Sequence, residues 1–152
     1  MSGEASYLPG ASLLRPYPLI AAAVMVVNLV YLKGAHPGWI SGKLSDFAIC
    51  FFLPVVFVSL FEWAAYPAGR RGPAERPVIA AACLVTVLYF SALQLVPFVA
   101  EMHVRVLGAV TVGVRRFAVT PDPTDLIALP MSALAYLWLR RESLRRSVSR
   151  SV

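Results

Sequence analysis

Two carboxylates hold the positions best suited to chemistry in this chain. Asp46 lies in Gly42-Lys43-Leu44-Ser45-Asp46-Phe47, and Asp125 lies in Asp122-Pro123-Thr124-Asp125-Leu126. Each acid follows a hydroxyl residue, Ser45 or Thr124, and each opens a long apolar run. Paired carboxylates can divide acid and base roles when their environments separate their pKa values. They can bind a cation or a partner inside a membrane bundle. They can also stabilise helix starts, where backbone N–H groups lack acceptors.

Other catalytic patterns are missing. There is no Ser/His/Asp order, no HExxH and no phosphate-cradling glycine loop. No catalytic residue is therefore nominated, and no cofactor is expected. His36 and His103 fall on the same side of the chain's hydropathy pattern as the acids. With Asp46, Glu101 and Asp125 they allow a metal site to be sketched, but no HxxxH spacing supports it, and no metal is expected. Cys50 and Cys83 both lie within apolar runs, so each is expected to be a small buried hydrophobe without a disulfide.

The elements that position these residues follow from composition. Hydrophobic residues make up 59% of the 152 residues and charged residues only 14%, with a mean hydropathy of +0.70. Soluble domains carry about 25% charged residues, so a water-facing globule is disfavoured. The pattern predicts an all-α membrane protein, a four-transmembrane-helix bundle forming one integral domain over residues 1–152. The expected spans are 17–33, 44–66, 77–99 and 123–140, followed by a basic tail over 141–152. The first and last are short and need tilt or neighbours. The first run is followed by Lys33-Gly34-Ala35-His36-Pro37 rather than a small-x-small site, which favours an uncleaved span over a signal peptide.

Orientation follows from arginine and lysine placement. One side carries Arg15, Arg70, Arg71, Arg76, Arg140, Arg141, Arg145, Arg146 and Arg150, nine in all. The other carries Lys33, Lys43, Arg105, Arg115 and Arg116, five in all. The first side, with both termini, is expected to be cytoplasmic in a bacterial inner membrane. Trp63, Tyr66, Tyr136 and Trp138 would form its aromatic belt, with Tyr31 and Trp39 at the outer one. The excess charge lies beside apolar runs, so anionic lipid at Arg140, Arg141, Arg145 and Arg146 is the expected partner, not nucleic acid. Residues 100–121 are too apolar for a solvated loop. They are expected to form an interfacial helix, with Glu101 and Arg105 four apart, then an extended stretch.

This topology places a polar residue of every span in one outer layer: Asn28, Asp46, Gln94 and Asp125. Lys43, Ser45, Asp122 and Thr124 flank it. The layer is either a set of helix caps and interhelical ties or a site for a ligand, ion or partner. Asp122 suits an N-cap, Pro123 the first helical position and Asp125 a capping-box acid. Ser41 or Ser45 suits the cap of the second span. Lys43 and Arg105 are the expected partners of the acids, and Arg70 and Arg71 those of Glu62. Pro54 and Pro130 can each kink a span and free a carbonyl, and helix packing alone explains them equally well. Ser45-Asp46-Phe47 against Thr124-Asp125-Leu126 also admits two parallel hairpin repeats.

"HPGWISGKLSDFAICFFLP" and "VTPDPTDLIALP" resemble motifs of a family of small multi-pass bacterial membrane proteins without an established activity. The resemblance runs from the first loop to the fourth span and implies the bacterial inner membrane but no mechanism. Ile49-Cys50 departs from the small residues that the resemblance implies after Asp-Phe-Ala. Three functions are compatible with the sequence. An accessory or structural subunit of a membrane complex, with other subunits or a second copy as partner, comes first. A small transporter or channel with a cation-binding acidic layer follows. A membrane enzyme using Asp46 and Asp125 comes third.

Overall fold

The computed structural model describes residues 7–32, 35, 38–110 and 121–148, and every regular element among them is helical. Five α-helices occur among these residues: α1 (Pro16–Val27), α2 (Trp39–Ala65), α3 (Arg76–Leu95), α4 (Pro97–Val110) and α5 (Pro130–Val148). Short 3-10 turns precede α1 (Ala11–Leu14) and α5 (Pro123–Ala128), and α1 runs on into a wider π turn (Asn28–Leu32). Lys33, His36, Arg115, Arg116 and Arg150, the extended stretch expected before Asp122, and the side chain of Trp39 lie outside the described residues.

Helix α2 is the centre of the fold, because α1, α3 and α5 all pack on it. The contacts at its ends fix the directions. The end of α1 meets the start of α2, and the end of α3 meets the turn before α5. The end of α2 meets Ala74 in the connector before α3 and the last turns of α5. Helices α1 and α3 therefore run opposite to α2 and α5. Val55, Val58, Ile79, Ala82, Cys83 and Leu139 close one half of the core, and Cys50, Phe90 and Ala128 the other. Both cysteines are free and buried.

Two helices are long and apolar enough to cross a membrane, Ser41–Ala65 and Arg76–Leu95. At 1.5 Å per residue, the 25 and 20 residues reach roughly 37 and 30 Å, against a hydrocarbon core of about 30 Å. Pro16–Leu32 is a shorter apolar helix, and α5 carries too many arginines to qualify.

Several boundaries differ from the sequence reading. Helix α2 begins at Trp39, not near Leu44, because the Ser41 side chain caps its start: the Gly38 N–H donates to Ser41 Oγ at 3.0 Å. GKLSDF thus lies inside the first three turns of the helix. The third run breaks at Val96, since Pro97 disfavours helix in the residue before it, and α4 begins there as a separate helix. The fourth run is also broken. Pro123–Ala128 is a 3-10 turn, and Pro130 is the first residue of α5 rather than a kink within a span. The tail is helical to Val148, and Glu142 is buried in it.

Pro54 behaves as its chemistry requires. It has no N–H to offer the Cys50 carbonyl, four residues earlier. Ser132 Oγ donates to that carbonyl at 2.9 Å, which joins α2 to α5 at a fully buried position. Close helix contact therefore occurs at Ile49-Cys50 although the residues there are not the small ones that the resemblance implied.

Candidate functional site

The residues of the expected polar layer are drawn together at one end of the bundle. Asn28 is fully buried where α1 widens into its π turn. Its Nδ2 donates to the Ser41 carbonyl at 2.8 Å and to Ser45 Oγ at 2.6 Å, tying α1 to α2. Lys43 Nζ donates to Thr124 Oγ1 and to Asp125 Oδ1, both at 2.6 Å, tying α2 to the turn before α5. Asp122 Oδ2 stands 4.0 Å from the same ammonium. Gln94 Oε1 accepts the Asp122 N–H at 3.0 Å, bringing in the end of α3. Asp46 is half-buried one turn beyond Lys43, and its charge adds to the negative field at that ammonium.

The local geometry explains why Asp125 is turned toward Lys43. Asp122 is the N-cap of Pro123–Ala128, and its Oδ1 accepts the Thr124 N–H at 2.9 Å. In a capping box, Asp125 would reach back to the Asp122 N–H. Gln94 already holds that N–H, so the Asp125 carboxylate meets Lys43 instead. The hydrogen bond with Thr124, assisted by Lys43, holds the Asp122 carboxyl below its ordinary pKa of 3.8. Asp46 is not a cap, because it lies seven residues into α2. Arg105 does not join the layer either. It pairs with Glu101 at 3.7 Å on the exposed face of α4.

The opposite end is built on Glu62, whose side chain is 2% exposed. Its Oε2 accepts the Gly10 N–H at 2.9 Å, and its Oε1 accepts the Ala74 N–H at 3.0 Å. Both terminal nitrogens of Arg146 donate to it, at 3.1 and 3.2 Å. Glu62 therefore joins the segment before α1, the connector before α3 and the end of α5. Gly10 is required there: its φ is 73°, and a Cβ would meet Trp63 Nε1 at 2.7 Å. The Arg146 guanidinium also covers the Tyr7 ring, 5.3 Å from its centroid. Burial, then the adjacent Glu62 carboxylate, pushes the Tyr7 hydroxyl up to about 12. Beside this cluster, Arg15 Nε donates to the buried Glu142 at 2.7 Å.

The expected partners of Glu62 are corrected here. Arg70 pairs with Glu75 at 2.6 Å and covers Phe61, whereas Arg146, 84 positions along the chain, binds Glu62. Sequence reasoning missed Arg146, Gly10, Ala74 and the Arg15–Glu142 pair. A carboxylate inside an apolar run signals that a buried cation must exist, but not which of nine arginines supplies it.

Among the described residues no three His, Cys, Asp or Glu side chains are grouped to hold a metal ion. His36 lies outside those residues. His103 packs on Tyr89 with its Nδ1 hydrogen-bonded to the tyrosine hydroxyl, and burial lowers its pKa. No family model, no curated protein and no solved structure matches this chain, so its function rests on this geometry.

Proposed function

We propose that this chain is a multi-pass protein of the bacterial inner membrane, crossing it four times, that serves as a non-catalytic accessory subunit of a larger complex. The observation that carries this reading is the division between inside and outside. Charged side chains of α2 turn inward and are consumed in ties within the chain, Lys43 with Asp125 and Glu62 with Arg146. The outward surface is apolar instead. Only 39% and 33% of an 18-residue apolar stretch of the two long helices is buried, and Leu19, Ile20, Val26, Leu60, Leu84 and Leu88 stand exposed. A core helix of a soluble protein would be mostly covered. A bilayer accommodates such a surface, and other membrane subunits or a second copy can cover part of it. The α1 and α5 segments are short for crossing alone, which also favours neighbours. The arginine-rich Glu62 end, with both termini, faces the cytoplasm by charge bias.

Extraction in a mild detergent, followed by native mass spectrometry of what co-migrates, tests the proposal. A partner at constant stoichiometry is the expected result. A lone monomer, stable after purification, contradicts it.

A second reading has its own observation. Lys43 faces Asp125, Asp122 and Asp46, so one ammonium meets three carboxylates. This clustering of carboxylates favours a cation at the Lys43 end, as a small transporter or channel would use. Liposome flux that vanishes in Asp46→Asn and Asp125→Asn supports it, and flux indifferent to both removes it. A membrane enzyme ranks third, because Asp125 is already locked to Lys43.

A further inference from the structure

Helices α1 and α5 both pack on α2 but scarcely touch each other, which leaves a groove between them at the Glu62 end. Its volume is about 440 Å³, within the range of roughly 300–1,000 Å³ typical of small-molecule sites. Phe51 of α2 forms the floor. Leu134, Leu137 and Trp138 form one wall, and Tyr17 the other. Trp138 is fixed between Phe51 and Tyr17, with ring centroids 5.9 and 6.3 Å away. Arg141 and Arg145 line the same groove beyond Trp138, toward the end of α5, with Glu142 between them held by Arg15. Residues 134, 138, 141 and 145 recur at helical spacing, so an apolar stripe passes directly into a cationic one.

Charge accounting identifies the occupant. Arg146 is spent on Glu62, and Arg15 on Glu142. Among the described residues no carboxylate lies within ion-pair distance of Arg141 or Arg145, and both are exposed. A ligand that complements the groove must present an anion to two guanidinium groups and an apolar chain to aromatic and aliphatic walls. We infer that this groove binds one anionic phospholipid, with its phosphate at Arg141 and Arg145 and an acyl chain along Leu134, Leu137 and Phe51. Guanidinium groups bind phosphate through paired N–H donors, which a zwitterionic headgroup with its own ammonium satisfies less well. The site rests on the proposal that the chain lies in a bilayer. It narrows the basic tail to two arginines and excludes Arg146, which the Glu62 cluster consumes.

The test uses the full chain purified in mild detergent and mixed with equal amounts of phosphatidylglycerol and phosphatidylcholine of matched acyl chains. Native mass spectrometry reads the lipid retained. One phosphatidylglycerol per chain is expected, preferred over phosphatidylcholine on the order of tenfold, since two arginines near an anionic headgroup attract it. Arg141→Gln with Arg145→Gln should abolish the preference. Arg70→Gln with Arg76→Gln removes the same charge from the same end outside the groove and should preserve it. Leu134→Trp fills the groove and should lower retention of both lipids together. It also carries the test if the double arginine variant does not fold.

Equal retention of the two lipids overturns the inference. So does equal loss in both arginine pairs, which would mean general surface attraction. Undiminished binding in Leu134→Trp, or a second protein chain held there in place of lipid, overturns it as well. Membrane fractionation separates the two levels of the proposal. A chain that requires detergent for extraction but shows no lipid preference removes this site and leaves the bilayer reading standing. A chain soluble without detergent removes both.

Discussion

The two ends of α2 each bury a charge, and they satisfy it differently. Glu62 accepts two backbone N–H groups and both terminal nitrogens of Arg146, so its oxygens are filled by donors from three segments. Two of those donors are main chain, which fixes the connectors themselves. Lys43 donates to two side chains, Thr124 and Asp125, with Asp122 at the limit of an ion pair. Its end is less closed, since the Asp125 side chain is 15% exposed against 2% for Glu62. Among the described residues, Glu62 faces one guanidinium, whereas the Lys43 ammonium lies in the field of three carboxylates. The first arrangement suits permanent closure. The second holds helices together through side chains that are partly open to water.

This contrast can be broken by substitution. Glu62→Ala should have the largest effect, about 3–5 kcal/mol of stability, because it leaves Arg146 and two N–H groups without their acceptor. Thermal unfolding in mild detergent measures it, and a loss under about 1 kcal/mol would remove the idea of permanent closure. Lys43→Ala should cost less, roughly 2–3 kcal/mol, because Asp125 retains some access to water. A greater loss at Lys43 than at Glu62 would invert the comparison.

Ser132→Ala sharpens it midway between the ends. It leaves the Cys50 carbonyl without a donor and should cost about 1–3 kcal/mol. In a Pro54→Ala background the residue at 54 regains an N–H for that carbonyl, so Ser132→Ala should then cost clearly less. Equal cost in the two backgrounds would show that Ser132 acts by packing alone.

The smallest effect concerns pH. Asp122 has a carboxyl pKa held below 3.8 in the folded chain, so its contribution is complete above about pH 4 and is lost as pH falls through the lower folded value. Asn can still cap but does not titrate. The stability difference between the parent chain and Asp122→Asn should therefore be flat at neutral pH and shift in favour of the variant only in acid. A difference that changes between pH 5 and 7 would mean that another group controls this turn.

Much of the Lys43 end was legible in the sequence. Polar residues in apolar helices are costly, so Asn28, Gln94, Lys43 and Asp125 had to find partners at their own depth. Asp122 before Pro123 is a local cap signal, and Pro54 with its unpaired carbonyl is local too. What escaped is set by long-range contact or by competition for one group. The start of α2 at Trp39 depends on a Gly38–Ser41 cap that an apolar count does not register. The break at Val96 and the 3-10 turn at Pro123–Ala128 lie within runs that hydropathy treats as continuous. Arg146 was hidden because chain proximity favoured Arg70 and Arg71, whereas α5, running parallel to α2, brings a distant arginine to Glu62.

The most direct measurement is a double-mutant cycle on Lys43 and Asp125, using Lys43→Ala, Asp125→Ala and the double variant, by thermal unfolding in mild detergent. If the layer ties helices together, the double variant loses less than the two singles combined, by about 1–3 kcal/mol. Single variants that melt like the parent chain, with additive effects, would contradict that role and leave the carboxylates of the Lys43 end to serve a ligand.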